Sequence, residues 1–143
     1  MSEEISNQEA LAIANKMLAN DTFSQWLGIE ILEMRQGYAK LGMKIRKEML
    51  NGMAKAHGGI SFSLADSTFA FASNSYGRLA VSIEASINHV EALDEGDYIV
   101  AEADLHLTKN KLGFHIIEVK RGEELVALFK GVVYRTNKNW NTI

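Results

Sequence analysis

A single carboxylate stands in a long uncharged stretch of this chain. From Gly58 to Gly77 the sequence reads GGISFSLADSTFAFASNSYG, in which Asp66 is the only ionisable residue apart from Tyr76. A carboxylate among apolar and small residues is costly unless it is paired, hydrated or used, so Asp66 is a candidate general base or nucleophile. The alternative is a structural acid held by nearby hydroxyls, such as those of Ser63, Thr68 or Ser82.

His57, Gly58 and Gly59 open this stretch and predict the start of a helix. Two glycines there offer backbone N–H groups with no side chain to block a ligand, and such an end can stabilise an oxyanion. The alternative is a tight glycine turn. Asn51 can hold a carbonyl or orient a water, or it is a solvated loop residue. His57 can fix the loop, or it is a bystander.

The spacing of Gly58 and Asp66 predicts a shared active site. Their separation of eight residues corresponds to about 12 Å of helical rise. A base and an oxyanion donor must each lie about 3 Å from one reacting group. If both act on one substrate, they come more easily from different chains, so the active unit is expected to be a dimer. Ser82 can hydrogen-bond a carboxylate or a substrate, or it faces solvent.

Two helices and six strands are predicted around these residues. Ser6 and Glu9 form a capping box for a helix over about 6–20, and the central apolar helix is predicted over about 58–75. Alternating apolar residues predict strands near 28–34, 38–45, 81–88, 99–107, 114–120 and 125–135. The fold class is therefore α+β, with a curved antiparallel sheet wrapped about a long helix. Uncovered sheet edges favour a dimer that continues the sheet.

Composition narrows the class of protein. With 143 residues and no linker or repeat, one domain is expected over residues 1–143. A net charge of −3 argues against a nucleic-acid or anionic-membrane partner, and no run approaches the roughly 20 apolar residues of a membrane span. The absence of cysteine and of an apolar signal segment favours the cytoplasm. The histidines lack the spacing of a metal site, and no cofactor is expected.

Several motifs together resemble one known family. The combined N-x5-HGG-x6-D spacing over residues 51–66 is similar to that of hotdog-fold acyl-CoA thioesterases of the phenylacetate-degradation (PaaI) type. The resemblance extends from about residue 25 to 136. Its further motifs are Ala70-Phe71-Ala72, Asn74-Ser75-Tyr76-Gly77, Ala80-Val81-Ser82, Glu95-Gly96-Asp97 and Leu128-Phe129-Lys130-Gly131.

The resemblance implies a double-hotdog homodimer, a tetramer of two dimers, and hydrolysis of an acyl-CoA to a free acid and coenzyme A. The acyl group would be aryl, such as phenylacetyl or hydroxyphenylacetyl, or of medium chain length. Asp66 matches the catalytic acid, and the Gly58 amide matches the oxyanion donor, with His57 holding its loop. Asn51 and Ser82 would assist in positioning. Contacts to CoA or the acyl group are expected from Gly59, Arg78, Lys109 and Lys111.

Two other functions are compatible with the sequence. A non-catalytic acyl-CoA binding or sensing protein on the same scaffold is the alternative, although a binder gains nothing from the Asp66 carboxylate. A hotdog dehydratase is less well supported, because the central helix has no evident His–Glu pair. The loop HVEALDEGD departs from the family, since many relatives carry a proline there and this chain has none. Five side chains either line an acyl pocket or, as we expect, fill the core, namely Met53, Phe62, Phe69, Phe71 and Tyr76.

Overall fold

A six-stranded antiparallel sheet packs around one long helix in the computed structural model, which describes residues 5–143. The helices are α1 (Asn7–Asn20), α2 (Thr22–Leu27) and α3 (Gly58–Asn74). The strands are β1 (Glu30–Arg35), β2 (Tyr38–Lys44), β3 (Arg78–His89), β4 (Tyr98–Lys109), β5 (Leu112–Arg121) and β6 (Glu124–Asn139). Short 3-10 turns cover Lys47–Met49 and Trp140–Thr142. The α+β class and the central helix agree with the sequence prediction.

The strands lie in the order β1-β2-β4-β5-β6-β3, and every neighbouring pair is antiparallel. Alternate residues of the middle strands point inward, so Leu41, Ala101, Ile117 and Phe129 are fully buried. α3 contacts five of the six strands, from β2 to β6. The long helix is thus covered on most sides, as its apolar sequence predicts.

The aromatic residues of α3 fill the core. Phe69 and Phe71 are fully buried, and the Phe69 ring lies 5.7 Å from that of Phe129. Gly131 permits this packing, because a Cβ there would lie 2.6 Å from the Phe69 ring. The half-buried Phe62 packs edge-on against Phe129 at 5.3 Å. The expectation of core packing therefore holds for these three rings.

Strand β3 forms one free edge of the sheet. A bulge between Ser82 and Glu84 interrupts the predicted alternation, and Val81 and Ile83 are 46% and 58% exposed. The predicted 99–107 face is likewise interrupted, because a bulge precedes Leu107, which is 52% exposed. The Leu105 side chain lies outside the described part of the structure. An exposed apolar edge of this length is a template for pairing with another strand.

Helix α2, both 3-10 turns and the extension of β6 to Asn139 were not predicted from the sequence. Asp21 links α1 to α2, since its backbone N–H donates to Leu18 O and its carboxylate caps α2 by accepting from Ser24 N at 2.9 Å. Within residues 5–143, none of the helices has the length and apolar character needed to cross a membrane.

Candidate active site

The N-terminus of α3 presents one spare backbone amide. His57 is the N-cap, and its Nδ1 accepts the Gly59 N–H at 2.9 Å. The His57 N–H itself donates to Met49 O at 2.8 Å, which fixes the loop against the core. Among residues 5–143, no acceptor is within hydrogen-bonding geometry of the Gly58 N–H. Gly58 therefore has a free donor at the positive end of a helix.

His89 lies directly over Gly58. A Cβ on Gly58 would be 3.0 Å from His89 Nε2, and His89 Nδ1 is 3.4 Å from the hydroxyl oxygen of Ser61. His89 could not be singled out from the sequence, because it lies at the far end of β3, away from Gly58 along the chain. The absence of a side chain at Gly58 is what allows the imidazole to approach this closely.

Asp66 lies half-buried in the middle of α3. Burial raises the pKa of its carboxyl group, and the negative charge of Asp21 raises it further. The hydroxyls proposed to satisfy it do not do so within one chain. Ser63 and Thr68 donate to carbonyls of their own helix at 2.6 and 2.7 Å, and Ser82 is exposed on β3. No hydrogen bond or ion pair to Asp66 is formed within the described chain.

Gly58 and Asp66 cannot meet on one substrate carbonyl within a single protomer. Both belong to the continuous helix α3, so they are separated by about 12 Å along its axis. Each group nevertheless has the property its predicted role requires. In the part of the chain that the structure describes, no group accepts the Gly58 N–H, and the Asp66 carboxylate has a raised pKa and no partner.

Asn51 holds its own loop. Its Oδ1 accepts the N–H groups of Met53 at 2.9 Å and Lys55 at 3.2 Å, and this loop includes Ala54 in the left-handed region at φ 59°. The side-chain oxygen is therefore occupied, and the Nδ2 group is the part left to contact a ligand. Met53 is 78% exposed at the tip, so it is not a core residue.

Helix α2 is fastened to α3 beside Asp66. The Ser24 hydroxyl donates to Asp21 at 2.6 Å and lies 2.8 Å from the hydroxyl of Ser67, the neighbour of Asp66. This contact explains why the Asp21 charge acts on Asp66. α2 contributes to the site and was missed because six residues are too few for a clear helical period.

A cavity of about 360 Å³, which we call the α2 pocket, opens between α2 and the N-terminus of α3. It is lined by Phe23 and Trp26 of α2, Glu48, Met49, Leu50, His57, and Gly59, Ile60 and Ser63 of α3. Sequence reasoning missed both aromatic residues of this pocket. The feature that could have indicated this pocket is the pair of aromatic side chains three residues apart on a short exposed helix.

The basic residues predicted to contact CoA lie away from this pocket. Arg78 lines a second cleft of about 1040 Å³, between α1 and the C-terminal residues, and its guanidinium donates to the carbonyls of Thr136 and Arg135. Lys109 and Lys111 flank the β4–β5 turn, where they are exposed. Gly59 has its N–H committed to His57 and instead lines the α2 pocket. Within residues 5–143, no group of three His, Asp or Glu side chains is arranged to hold a metal ion.

Comparison with known proteins agrees with this architecture. Residues 53–127 match the model of the thioesterase superfamily. A "putative esterase" of Archaeoglobus fulgidus is 46% identical over 90% of this chain and 84% of its own length. The acyl-coenzyme A thioesterase PaaI of Escherichia coli is 38% identical over 85% of this chain and 88% of its own.

The solved structure of the E. coli PaaI protein from the phenylacetic acid degradation operon superposes with a TM-score of 0.91. The match covers 94% of this chain and 99% of that chain, at 34% sequence identity. The predicted hotdog fold, with its long helix and antiparallel sheet, is thereby confirmed. The chain therefore belongs to the thioesterase superfamily, as a hotdog-fold thioester hydrolase of the PaaI type.

Proposed function

We propose that this protein hydrolyses an acyl-CoA thioester to a free acid and CoA at a site shared by two protomers. The observation that supports this most strongly is that α3 carries both a carboxylate and a backbone amide with the properties that the reaction needs. Among residues 5–143, the half-buried Asp66 carboxylate has no hydrogen-bond or ion-pair partner, and no group accepts the Gly58 N–H at the helix start. A base and an oxyanion donor are the two groups that thioester hydrolysis needs.

In the proposed step, the Asp66 carboxylate takes a proton from water as the water oxygen attacks the thioester carbon. The carbonyl oxygen becomes an oxyanion that accepts the Gly58 N–H of the other protomer. Collapse breaks the carbon–sulfur bond, and the proton on Asp66 passes to the CoA thiolate. The raised pKa of Asp66 suits a group that both takes and returns a proton.

Asp66 can also act as a nucleophile, through an anhydride with the acyl group. A single turnover in heavy-oxygen water distinguishes a general base from a nucleophile whose anhydride is opened at the Asp66 carbonyl. As a base, Asp66 leaves the solvent oxygen in the released acid and stays unlabelled. As a nucleophile whose anhydride is opened at the Asp66 carbonyl, it takes up the label itself.

The proposed dimer forms through the free edge of β3. Antiparallel pairing of two β3 strands would bury Val81 and Ile83, which are exposed in the single chain, and would continue the sheet. Two α3 helices would then lie side by side in opposite directions, which lets Gly58 of one approach Asp66 of the other. We further propose that two such dimers form a tetramer.

The remaining predicted site residues have supporting parts in this proposal. Asn51 offers its Nδ2 group to the thioester or the water, Ser82 assists from β3, and His57 keeps the Gly58 loop in place. Arg78, Lys109 and Lys111 are the candidate contacts for CoA phosphates. The single domain over residues 1–143 and the cytoplasmic location, which the absence of cysteine favours, are parts of the same proposal.

The test is thiol release from acetyl-, hexanoyl-, benzoyl- and phenylacetyl-CoA by the wild type and three variants. Asp66→Asn should lower kcat by about 10²–10⁴-fold while the protein stays folded. Gly58→Pro removes the spare N–H at the first helical position, where proline is tolerated, and the extended His57 suits a following proline. We expect a loss in kcat of about 10²–10³-fold for that variant.

Gly58→Ala is the matched control, because it adds a Cβ and keeps the N–H. Its Cβ would lie 3.0 Å from His89 Nε2, and the exposed imidazole can shift by a few tenths of an ångström, so the loss should be much smaller. Wild-type turnover by folded Asp66→Asn would contradict the role of Asp66. Binding of acyl-CoA without any thiol release by the wild type would favour the binding-protein alternative.

A further inference from the structure

We infer that the cleft between α1 and the C-terminal residues, which we call the α1 cleft, binds the phosphate groups and the base of a nucleotide. Its lining includes Lys16, Tyr76, Arg78, Arg135 and Trp140 but neither Gly58 nor Asp66. The inference therefore goes beyond the proposed function and does not depend on hydrolysis. A free nucleotide and the nucleotide part of CoA offer the cleft the same chemistry, and the experiment below distinguishes them.

The α1 cleft is basic, although the chain has a net charge of −3. Three side chains of its lining are cationic, Lys16, Arg78 and Arg135, and one, Glu9, is acidic. Among residues 5–143, no carboxylate forms an ion pair with any of these three cations. A local excess of positive charge in a cleft attracts anions.

Arg78 and Arg135 are both half-buried and have N–H groups to offer. Nε and Nη2 of Arg78 donate to the carbonyls of Thr136 at 2.9 Å and Arg135 at 3.2 Å, whereas Nη1 has no acceptor in the described chain. Burial lowers the pKa of the Arg135 guanidinium, and the charge of Arg78 lowers it further. A bound phosphate would relieve this repulsion and accept hydrogen bonds from both guanidinium groups.

Tyr76 adds a neutral donor beside these two cations. The guanidinium carbon of Arg135 lies 5.5 Å from the centroid of the Tyr76 ring. Burial raises the pKa of the Tyr76 hydroxyl, so the hydroxyl keeps its proton at neutral pH. A protonated hydroxyl next to an arginine can donate a hydrogen bond to a phosphate oxygen.

Trp140 provides an aromatic surface that is ordered before a ligand binds. Its indole N–H donates to Asn74 Oδ1 at 2.8 Å, and Lys16 Nζ lies 5.7 Å from the ring centroid. The half-buried ring therefore has a fixed position, and a base can stack on it at a low cost in conformational entropy. Arginines for phosphate beside an aromatic ring for a base favour a nucleotide over an inorganic anion.

The size and place of the cleft agree with this ligand. Its volume is about 1040 Å³, which is far more than one phosphate ion fills. Binding sites for small molecules measure roughly 300–1,000 Å³. The cleft lies beyond the C-terminal end of α3 at Asn74, which is about 12 Å along the helix axis from Asp66. A ligand there is separate from the groups proposed to cleave the thioester.

The experiment measures ADP binding by calorimetry in the wild type, Arg135→Gln, Tyr76→Phe and the control Lys130→Gln, an exposed lysine on β6. The wild type should bind ADP, and adenosine and inorganic phosphate each at least about tenfold more weakly. Arg135→Gln should weaken ADP binding by about ten- to hundredfold, and Tyr76→Phe by about tenfold. Lys130→Gln should change it by no more than about twofold. Arg135→Lys keeps the charge and should retain part of the affinity.

A second measurement locates the ligand and identifies its source. The chain has two tryptophans, so Trp26→Phe leaves Trp140 as the only indole reporter. ADP should change the emission of Trp140, and added salt should weaken this response. If CoA changes the same emission and abolishes the response to ADP, the cleft binds the nucleotide part of CoA. If the response to ADP persists in saturating CoA, the cleft binds a free nucleotide. Either result supports a nucleotide site.

The outcomes distinguish this inference from the proposed function. If the wild type releases no thiol from any acyl-CoA but binds ADP through Arg135, the hydrolytic function fails and the nucleotide site stands. If the wild type does not bind ADP, or if Arg135→Gln and Lys130→Gln weaken it equally, the nucleotide site is overturned. A change of oligomeric state that accompanies the loss of ADP binding in Arg135→Gln would also overturn it, because Arg135 would then act at a subunit contact.

Discussion

His57 closes the N-terminus of α3 by accepting the Gly59 N–H on Nδ1 at 2.9 Å. The ring thereby satisfies one of the amides that a helix start leaves unpaired, and it leaves the Gly58 amide for a ligand. A histidine here therefore has a structural task that is separable from chemistry. The two contributions can be measured by comparing replacements that keep or remove the cap.

His57→Ala should lower the free energy of unfolding by about 1 kcal/mol, because the first turn of the helix frays when its N-cap side chain is removed. It should also lower kcat, since the loop that presents Gly58 loosens. His57→Asn keeps a side-chain acceptor at the N-cap and should recover most of the stability. Urea unfolding and thiol release on the same samples provide the measurements. If the alanine variant is as stable as the wild type, His57 does not stabilise the helix by capping it.

The fall in kcat/KM at low pH should reflect the protonation of Asp66. The reaction needs the carboxylate, and burial followed by the Asp21 charge raises its pKa above the ordinary 3.8. The midpoint of the fall in kcat/KM at low pH should therefore lie above 3.8. Asp21→Asn removes the negative charge, and its amide oxygen can still accept from Ser24 N.

We expect Asp21→Asn to move that midpoint to lower pH, because ionised Asp66 is then repelled less. Glu33→Gln, an exposed acid on β1, is the control and should leave the midpoint unchanged. A midpoint that stays fixed in Asp21→Asn, or one that moves upward, would contradict this electrostatic explanation.

His115 should make the fold sensitive to acid. It is 3% exposed against Phe69, and burial, with the positive charge of Arg135, lowers its pKa from 6.5 to about 4. The unfolded chain binds this proton at a higher pH than the folded chain does. Stability is therefore unaffected by His115 above 6.5 and falls as the pH drops from 6.5 to about 4.

The loss over that interval amounts to about 3 kcal/mol. His115→Phe, which keeps a ring against Phe69, should remove this part of the slope in urea unfolding measured from pH 7 to 4. His106→Gln, an exposed histidine on β4, should keep the wild-type slope. An unchanged slope in His115→Phe would show that this histidine is not the acid-sensitive group.

The elements with long apolar periods were predictable from the sequence, and the short ones were not. Leu41, Met43 and Ile45 alternate with polar or small residues and are fully buried, as expected. α2 has six residues and therefore shows too little of a helical period. The bulges at Ser82–Glu84 and Leu105–Leu107 could not be predicted either. The extra residue of a bulge is recognised only from its pairing with the neighbouring strand.

For the site, the sequence predicted the functional groups on α3 but not the residues of other elements that lie next to them. Asp66 stood out because it is a lone carboxylate in an apolar helix. His89 and Trp26 come from other elements, and only the folded chain brings them to the start of α3. Asn51 was identified by motif, but its occupied oxygen became visible only with the loop.

Mixed dimers show whether Asp66 of one protomer and Gly58 of the other form one active site. Asp66→Asn and Gly58→Pro protomers, each nearly inactive alone, are unfolded together, refolded in equal amounts and assayed for thiol release. Half of the dimers should be mixed, and each mixed dimer has one of its two sites intact, so we expect about a quarter of wild-type activity. No recovery above the separate variants, in a sample shown to contain mixed dimers, would contradict a site shared between protomers.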